Sequence, residues 1–454
     1  MHLTLKTTPI AGRIWAGCLL ALAMIGLTAT RASAVPAFAV QTGAQCQACH
    51  VGGFGPQLTP FGREFKLQGY TMRTKAFNDP LSAMAVASYL HTSQSQNPPP
   101  AGYAGNDNVA LDQISLFFAG GLGQHVGAFI QTTYDGIAKA WSWDNLDVRV
   151  TTTKQIKGAN VTLGLSLNNS PTVQDAWNTL PAWGYQYTGS ALAPSPSASP
   201  LLSGALAQTS LGLTGYAWIN SAVYVEAGAY GSPGASTLTT LGADPTSPGS
   251  IDGLAPYGRV ALQKTVGGGA LEVGAFGMRT DIFPGLDHTT GFTDRYTDVG
   301  LDGSYIATLK NSDVVTINAR ILHEQQSLKA TCALAGQGAG CSGVTLTDLR
   351  ADAAYYWRNR IGATVAVFDT FGGANPTAYP DNRTFRPDSS GVTLQLDGTP
   401  FGGGGSPLGP RFNMRVGMQY TAYATFNGAG RNYDGLGHNA SDNNTFRVFT
   451  WFAY

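Results

Sequence analysis

From residue 82 to the C-terminus the chain is a succession of strand-like runs of about 8–13 residues, rich in β-branched and aromatic residues and alternating in polarity. The links between the runs alternate as well. Short ones at 121–124, 154–158, 220–221, 264–268, 310–312 and 358–360 interleave with long ones at 94–108, 168–207, 231–255, 280–295, 326–344, 372–390 and 426–442. A β-sandwich has no reason to keep every second turn short. An outer-membrane barrel does, because its turns are tight on the periplasmic side and its loops long outside. The expected fold is therefore all-β: a transmembrane antiparallel β-barrel of about sixteen strands over 81–454, with its long loops outside. Two links break the pattern. The one at 135–140 is shorter than the scheme expects, and that at 398–410, with Gly402 to Gly405, is longer, which leaves one strand pair open to reassignment.

Composition narrows the choice. Charged residues make up 12% of the 454, about half of what a soluble domain carries, yet mean hydropathy is −0.04 and no apolar stretch long enough for a membrane helix occurs after the first 30 positions. Barrel strands hide their apolarity in alternate residues, which gives this average. Phe446, Val448, Thr450, Phe452 and Tyr454 share one face of the last run. In the run from 411, Phe412, Met414, Val416 and Met418 oppose Arg411, Asn413, Arg415, Gly417 and Gln419. One face suits outer-membrane lipid and the other a wet lumen. The 27 Lys and Arg are cancelled by 27 Asp and Glu without basic runs, so nucleic acid is not an expected partner.

Residues 1–34 have the form of a cleaved export signal: Lys6 and Arg13, an apolar core from Ile14 to Ala29, and Ala32-Ser33-Ala34. Cys18 leaves with it. Of the four remaining cysteines, two stand in Cys46-Gln47-Ala48-Cys49-His50, the pattern of covalent c-type haem attachment. Two thiols three positions apart reach the two vinyl groups of one haem, and the next residue brings its imidazole to the iron. A zinc site would need a second ligand pair, and a redox dithiol a βαβ context; neither is visible. One haem c on Cys46, Cys49 and His50 is the expected cofactor. The other two, Cys332 and Cys341, flank a small flexible segment without His or carboxylates, and in an oxidising compartment the expectation is a disulfide. The segment 35–80 is too short for an ordinary core, so covalent haem is its staple, and packing inside the lumen as a plug is the expected shelter.

The run Ala34 to His50, followed by Leu58-Thr59-Pro60-Phe61-Gly62-Arg63-Glu64-Phe65-Lys66-Leu67-Gln68-Gly69-Tyr70, resembles the fused monohaem cytochrome c and porin of Fe(II)-oxidising bacteria. The stretches Gln419-Tyr420-Thr421, Asn432 to Gly435 and Asn439 to Asn444 resemble it too. The N-terminal resemblance spans about 40 residues; over most of the barrel it is one of layout. It implies an outer-membrane iron oxidase, a one-electron oxidoreductase that takes electrons from extracellular Fe(II) and passes them to a periplasmic cytochrome or copper protein. Cys46 and Cys49 would then hold the haem and His50 ligate it. Met72 is the first candidate for the second axial ligand, since a thioether raises the potential, with Met84 and His91 as alternatives. Arg63 and Lys66 are candidates to neutralise haem propionates, or else ordinary surface residues. Asp281, Asp287, Asp294 and His288 read as solvated loop residues. A diffusion porin with a haem-containing plug and a conduit for a donor other than iron are the competing readings.

Overall fold

A computed structural model describes residues 36–74, 79–337, 341, 343–408 and 411–454, so the expected export signal at 1–34 lies outside the described residues. Three short helices, α1 (Pro36–Thr42), α2 (Cys46–Cys49) and α3 (Pro60–Leu67), precede the strands. These are β1 (Leu81–Thr92), β2 (Asn108–Gly121), β3 (Val126–Asp135), β4 (Ala140–Ile156), β5 (Ala159–Asn168), β6 (Leu211–Ile219), β7 (Val223–Gly231) and the three-residue β8 (Gly249–Ile251). They continue with β9 (Ala255–Val266), β10 (Gly269–Pro284), β11 (Asp294–Thr308), β12 (Val314–Leu328), β13 (Gly343–Trp357), β14 (Ile361–Gly372), β15 (Ser389–Gly398), β16 (Asn413–Thr425) and β17 (Thr445–Ala453).

Sixteen long strands form one closed antiparallel barrel, and β8 is a spur on the end of β10. Closure is made by β1, which pairs with β2 on one side and with β17 on the other, Met84 opposite Ala453 through to Thr92 opposite Thr445. Full closure leaves no strand edge unpaired, the condition for spanning a bilayer with strands. Among the described residues no helix is long and apolar enough to cross a membrane.

The period of two decides which residues meet lipid. Leu163, Leu165 and Leu167 of β5, Val299 and Leu301 of β11, and Leu394 and Leu396 of β15 are exposed on the outer wall. The residues between them, Ser166, Asp298, Asp302, Thr393, Gln395 and Asp397, are buried inside. On β17 the outward set includes Val448, Phe452 and Tyr454, and the inward set is Thr445, Arg447, Phe449, Trp451 and Ala453. Many of the charges on the strands thus turn into the lumen, where Arg149, Arg259, Arg320, Arg415 and Arg447 each meet a carboxylate.

Apart from the short link between β3 and β4, which lies among the long loops, the tight connections gather at one end of the barrel, the periplasmic end by the rule for such barrels. The 398–410 link belongs to that end, and β15 and β16 pair directly from Gly398–Val416 upward, so no strand pair is reassigned. Its extra length runs beneath the N-terminal helices: Thr399 donates to the Gly52 carbonyl, and Gln47 N donates to the Gly402 carbonyl.

The link 168–207 differs from its expected place outside. It descends into the lumen, and 171–180 is buried throughout. Only one residue in it is charged, Asp175, so burial leaves one carboxylate to satisfy. Asp175 accepts from the backbone N–H of Trp177, Thr179 and Leu180 and lies 3.6 Å from Arg259.

Asp294 is likewise not a solvated loop residue. It is buried and accepts from the N–H groups of Ala330 and Thr331, holding the start of the short helix Lys329–Leu334. Asp281 belongs to β10 and pairs with Arg295 of β11, Asp287 stays on the loop surface, and His288 packs on Phe283.

Candidate functional site

Residues 36–74 sit in the lumen at the tight-turn end. Two helical elements, α2 and α3, place the cysteine motif. Cys46 to Cys49 form a single helical turn, which brings the thiols toward one side, and His50 follows in extended backbone with its N–H donated to the Cys46 carbonyl at 2.9 Å. Thr59 caps α3 by accepting from Gly62 N and donates its own hydroxyl to the Ala48 carbonyl at 2.5 Å. At Gly62 a Cβ would stand 2.3 Å from the Cys49 carbonyl, so only glycine lets α3 rest on the motif.

The barrel wall grips the same turn. Asn359 accepts from Gly52 N at 2.6 Å and donates to the carbonyls of Gln47 and His50. Asn413 donates to the Cys46 sulfur at 3.0 Å and to the Gly53 carbonyl. Gly52 has a φ of +68°, and a Cβ there would meet Arg415 and Tyr356, which hydrogen-bond each other at 2.7 Å. Arg149, fully buried, ties three bodies together: it pairs with Asp147 on its own strand and donates to the carbonyls of Lys66 in α3 and Gln174 in the inner loop.

Between plug, inner loop and wall lies a cavity of about 270 Å³. Cys49 and His50 open onto it, and its walls include Phe38, Phe54, Phe65, Phe117, Phe129, Trp183 and Trp451. Cys46 is buried just behind, under Asn413. Burial pushes the Cys46 thiol up to about 12 and the Cys49 thiol to about 11. Burial, helped by the Arg415 charge, pulls His50 down to about 4, which keeps its imidazole neutral and able to ligate a metal.

Arg63 and Lys66 are not surface residues; both are buried. Lys66 lines the cavity, donates to the Val173 carbonyl at 2.7 Å and lies 4.6 Å over the Trp183 ring, with no salt bridge among the described residues. Burial pulls its ammonium down to about 7, with the neighbouring Arg149 charge adding to the effect. Arg63 donates to Ser304, and its Nε and Nη1 are buried without a partner among the described residues.

The remaining sequence candidates separate. The Met72 carbonyl accepts from Gln41 where the plug leaves the barrel, and its side chain is not on the cavity wall. Met84 of β1 is on that wall, its sulfur accepting from Trp451 Nε1 at 3.1 Å. His91 is exposed at the far end of β1, 2.8 Å from Asp107. Cys332 and Cys341 are disulfide-bonded with Cα atoms 5.9 Å apart. Among the described residues no group of three or more His, Cys, Asp and Glu is placed to hold a bare metal ion. Asn359, Asn413, Arg149 and Trp183 escape any local motif. Of these only Asn413 carries a sequence signal, its place in the inward set of its strand.

The architecture defines a porin-like outer-membrane β-barrel whose lumen is filled by its own N-terminal segment and one long loop. No protein-family model matches the chain, and no curated protein matches it. Among solved structures it is similar to the outer-membrane channel DcaP of Acinetobacter baumannii, at 10% identity over 85% of this chain and 99% of that one, with a TM-score of 0.48. It is also similar to the trimer form of OmpT of Vibrio cholerae, at 10% identity over 82% and 98%, with a TM-score of 0.45. A third similar structure is the anion-selective porin of Comamonas acidovorans, at 11% identity over 82% and 98%, with a TM-score of 0.43.

Proposed function

We propose that the protein is an outer-membrane electron conduit in which one haem c, attached through Cys46 and Cys49 and ligated by His50, takes electrons from extracellular Fe(II) and hands them to a periplasmic cytochrome or copper protein. The observation that carries this reading is the Cys-x-x-Cys-His turn opening onto a cavity walled by aromatic rings inside a filled lumen. The group fits the residues present. Aromatic walls suit a macrocycle, two unpaired thiols are available for thioethers, and Lys66 is a buried amine without an ion pair among the described residues, where a propionate would supply one.

Bound there, the haem supplies one-electron chemistry; the protein's part is position and potential. His50 is held neutral by burial. Met84, which lines the cavity where Met72 does not, would be the thioether within reach of a group bound there, and a thioether ligand would raise its potential as a ferrous donor requires. Trp183 and the phenylalanines exclude water, which also favours a high potential.

The test is a haemochrome spectrum of the purified protein followed by anaerobic addition of Fe(II). Covalent haem that Fe(II) reduces is the expected result; haem that stays oxidised at every working pH defeats the iron assignment, and absence of haem defeats the conduit. A diffusion porin is separated by planar-bilayer conductance, which is nearly closed for the filled lumen.

A further inference from the structure

The tight-turn end of the barrel carries a surplus of positive charge. Lys157, Lys310, Arg358 and Arg360 stand in its turns, between β4 and β5, β11 and β12, and β13 and β14, and Arg73 stands where the plug leaves the lumen. Lys154 and Lys264 lie near the same ends of β4 and β9. All of these but Arg360 are exposed, and none makes a salt bridge among the described residues. Arg411 is neutralised by Asp79 at 2.5 Å. The other carboxylates at this end are Glu64, which accepts from Trp218 and Gln68, Asp313, which accepts from Tyr355 and the Arg358 N–H, and one at Tyr454. Deeper in the lumen, Asp397 and Glu272 are buried against Arg415 and Arg259 and add nothing to this face. With every carboxylate counted, the face is net positive.

Its centre is of another kind. The exposed residues of the plug are Gly43, Gln45, Pro60, Phe61, Arg73 and Thr74, and of these only Arg73 is charged. Phe61 is 44% exposed and does not line the aromatic cavity, so its ring opens at the mouth of the barrel. An uncharged, partly apolar centre inside a ring of cations has the form of a transient docking face: the ring steers a partner of opposite charge, and the centre holds it. Lipid explains only part of the ring. Lys154 and Lys264 fall in the outward sets of their strands, in step with Val150 and with Val260 and Leu262, and so reach toward lipid phosphates. Phe61 belongs to the plug, inside the closed wall, where no bilayer can meet it.

Resting on the reading of the protein as a conduit with a periplasmic acceptor, we propose that this end is the docking face of a small, soluble, acidic protein. The partner sets a ring of carboxylates against Lys157, Lys310, Arg358, Arg360 and Arg73, and an uncharged patch against Phe61. Selection is by charge: an acidic carrier is drawn to the mouth of the barrel and a basic one is turned away. Because the cations are exposed, the attraction acts mainly on the rate of encounter and is screened by salt.

The test uses the purified full-length protein in nanodiscs of uncharged lipid, with two probes in surface plasmon resonance: a soluble basic cytochrome c, and the same cytochrome with its lysines succinylated, which makes it acidic. The acidic form is expected to bind and the basic form not. Raising salt from about 20 to about 200 mM, which shortens the Debye length roughly threefold, should slow association of the acidic form roughly tenfold, a result that needs no substitution. Lys157→Gln with Lys310→Gln, Arg358→Gln and Arg360→Gln should slow it roughly tenfold or more at low salt, while Phe61→Ser should speed dissociation. Equal binding of the two forms, or a quadruple variant that associates at the wild-type rate, overturns the docking face. Binding abolished when anionic phosphatidylglycerol replaces part of the uncharged lipid assigns the ring to lipid headgroups and overturns it too. A wild type without covalent haem overturns the conduit, while the binding series still decides the docking face.

Discussion

The two halves of the lumen share one barrel wall and are built from opposite chemistries. At the tight-turn end β17 turns Phe449, Trp451 and Ala453 inward; nearer the long loops the same strand turns in Arg447 and Thr445. β13 does the same, with Tyr356 and Ala354 below and Asp352 and Asp348 above. The lower half is walled by rings around Cys49 and His50, the upper by hydroxyls, amides and paired charges. The difference teaches that the wall is divided along the strands as well as across them: period two sorts lipid from lumen, and position along the strand sorts a chamber rich in aromatic rings from a more polar one. The inner loop is the partition between them.

The comparison breaks most completely at the cysteines. Cys46→Ala with Cys49→Ala is expected to abolish covalent haem, read as loss of the haemochrome band, while the barrel still shows heat-dependent mobility on gels. Covalent haem surviving the double substitution would remove the aromatic chamber's proposed purpose. Next in size is Arg149→Met. Asp147 would be left buried beside an apolar side chain, at a cost of about 3–5 kcal/mol. The loss falls on the seating of the plug, since Arg149 holds Lys66 and Gln174 as well. Hydrogen exchange in 60–74 should rise by orders of magnitude with that in 271–283 unchanged; equal exchange in both would show the plug held by other contacts.

The long-loop end supplies the contrast. Reducing Cys332–Cys341 opens a loop with a sequence separation of 9, worth about 2–3 kcal/mol on the chain-entropy estimate. The effect stays local, because the bond lies beyond the barrel wall. Proteolysis after reduction is expected between 329 and 342 and nowhere in the plug. Cleavage in 36–74 instead would mean that the two ends are mechanically coupled.

What the sequence discloses of this arrangement follows from how local each signal is. The wall is legible because inward and outward sets repeat within ten residues and every second link is tight. The haem motif is legible because its thiols and imidazole fall within five residues. The chamber is not, since it is assembled by pairs such as Asn178 with the Pro56 carbonyl and Lys66 with the Val173 carbonyl, each separated by more than a hundred positions. A segment with a single charge, like 168–207, reads the same whether it lies in water or fills a lumen, and that one carboxylate, Asp175, decides the matter by facing Arg259. Lys66 misleads for the opposite reason: lysine is mostly a surface residue, and only the Trp183 ring and the cavity beside it give it an interior place.

The smallest expected effect lies at the outermost point of the long-loop end. His438 Nδ1 meets Asp434 Oδ2 at 2.5 Å in the loop between β16 and β17, where Tyr433 N also donates to the His438 carbonyl. The hydrogen bond and then the charge of Asp434 raise His438 above its ordinary value. Burial pushes Asp434 up, but the bond from His438 and neighbouring backbone N–H groups hold it below the usual carboxylate range. A raised histidine stabilises fully below about pH 6.5, and the contribution is lost as pH rises through its raised pKa. A depressed carboxylate stabilises above about pH 4, and that contribution is lost as pH falls through its lowered pKa. The clasp is therefore tightest in the mildly acidic window between them. Both groups are near the surface, so solvent screening keeps the effect small. Amides 432–439, corrected for intrinsic exchange, should be better protected at mildly acidic than at alkaline pH, and His438→Gln should flatten the difference. Protection that instead grows toward alkaline pH would show that the loop is ordered by its backbone contacts with Arg383 and not by the ion pair.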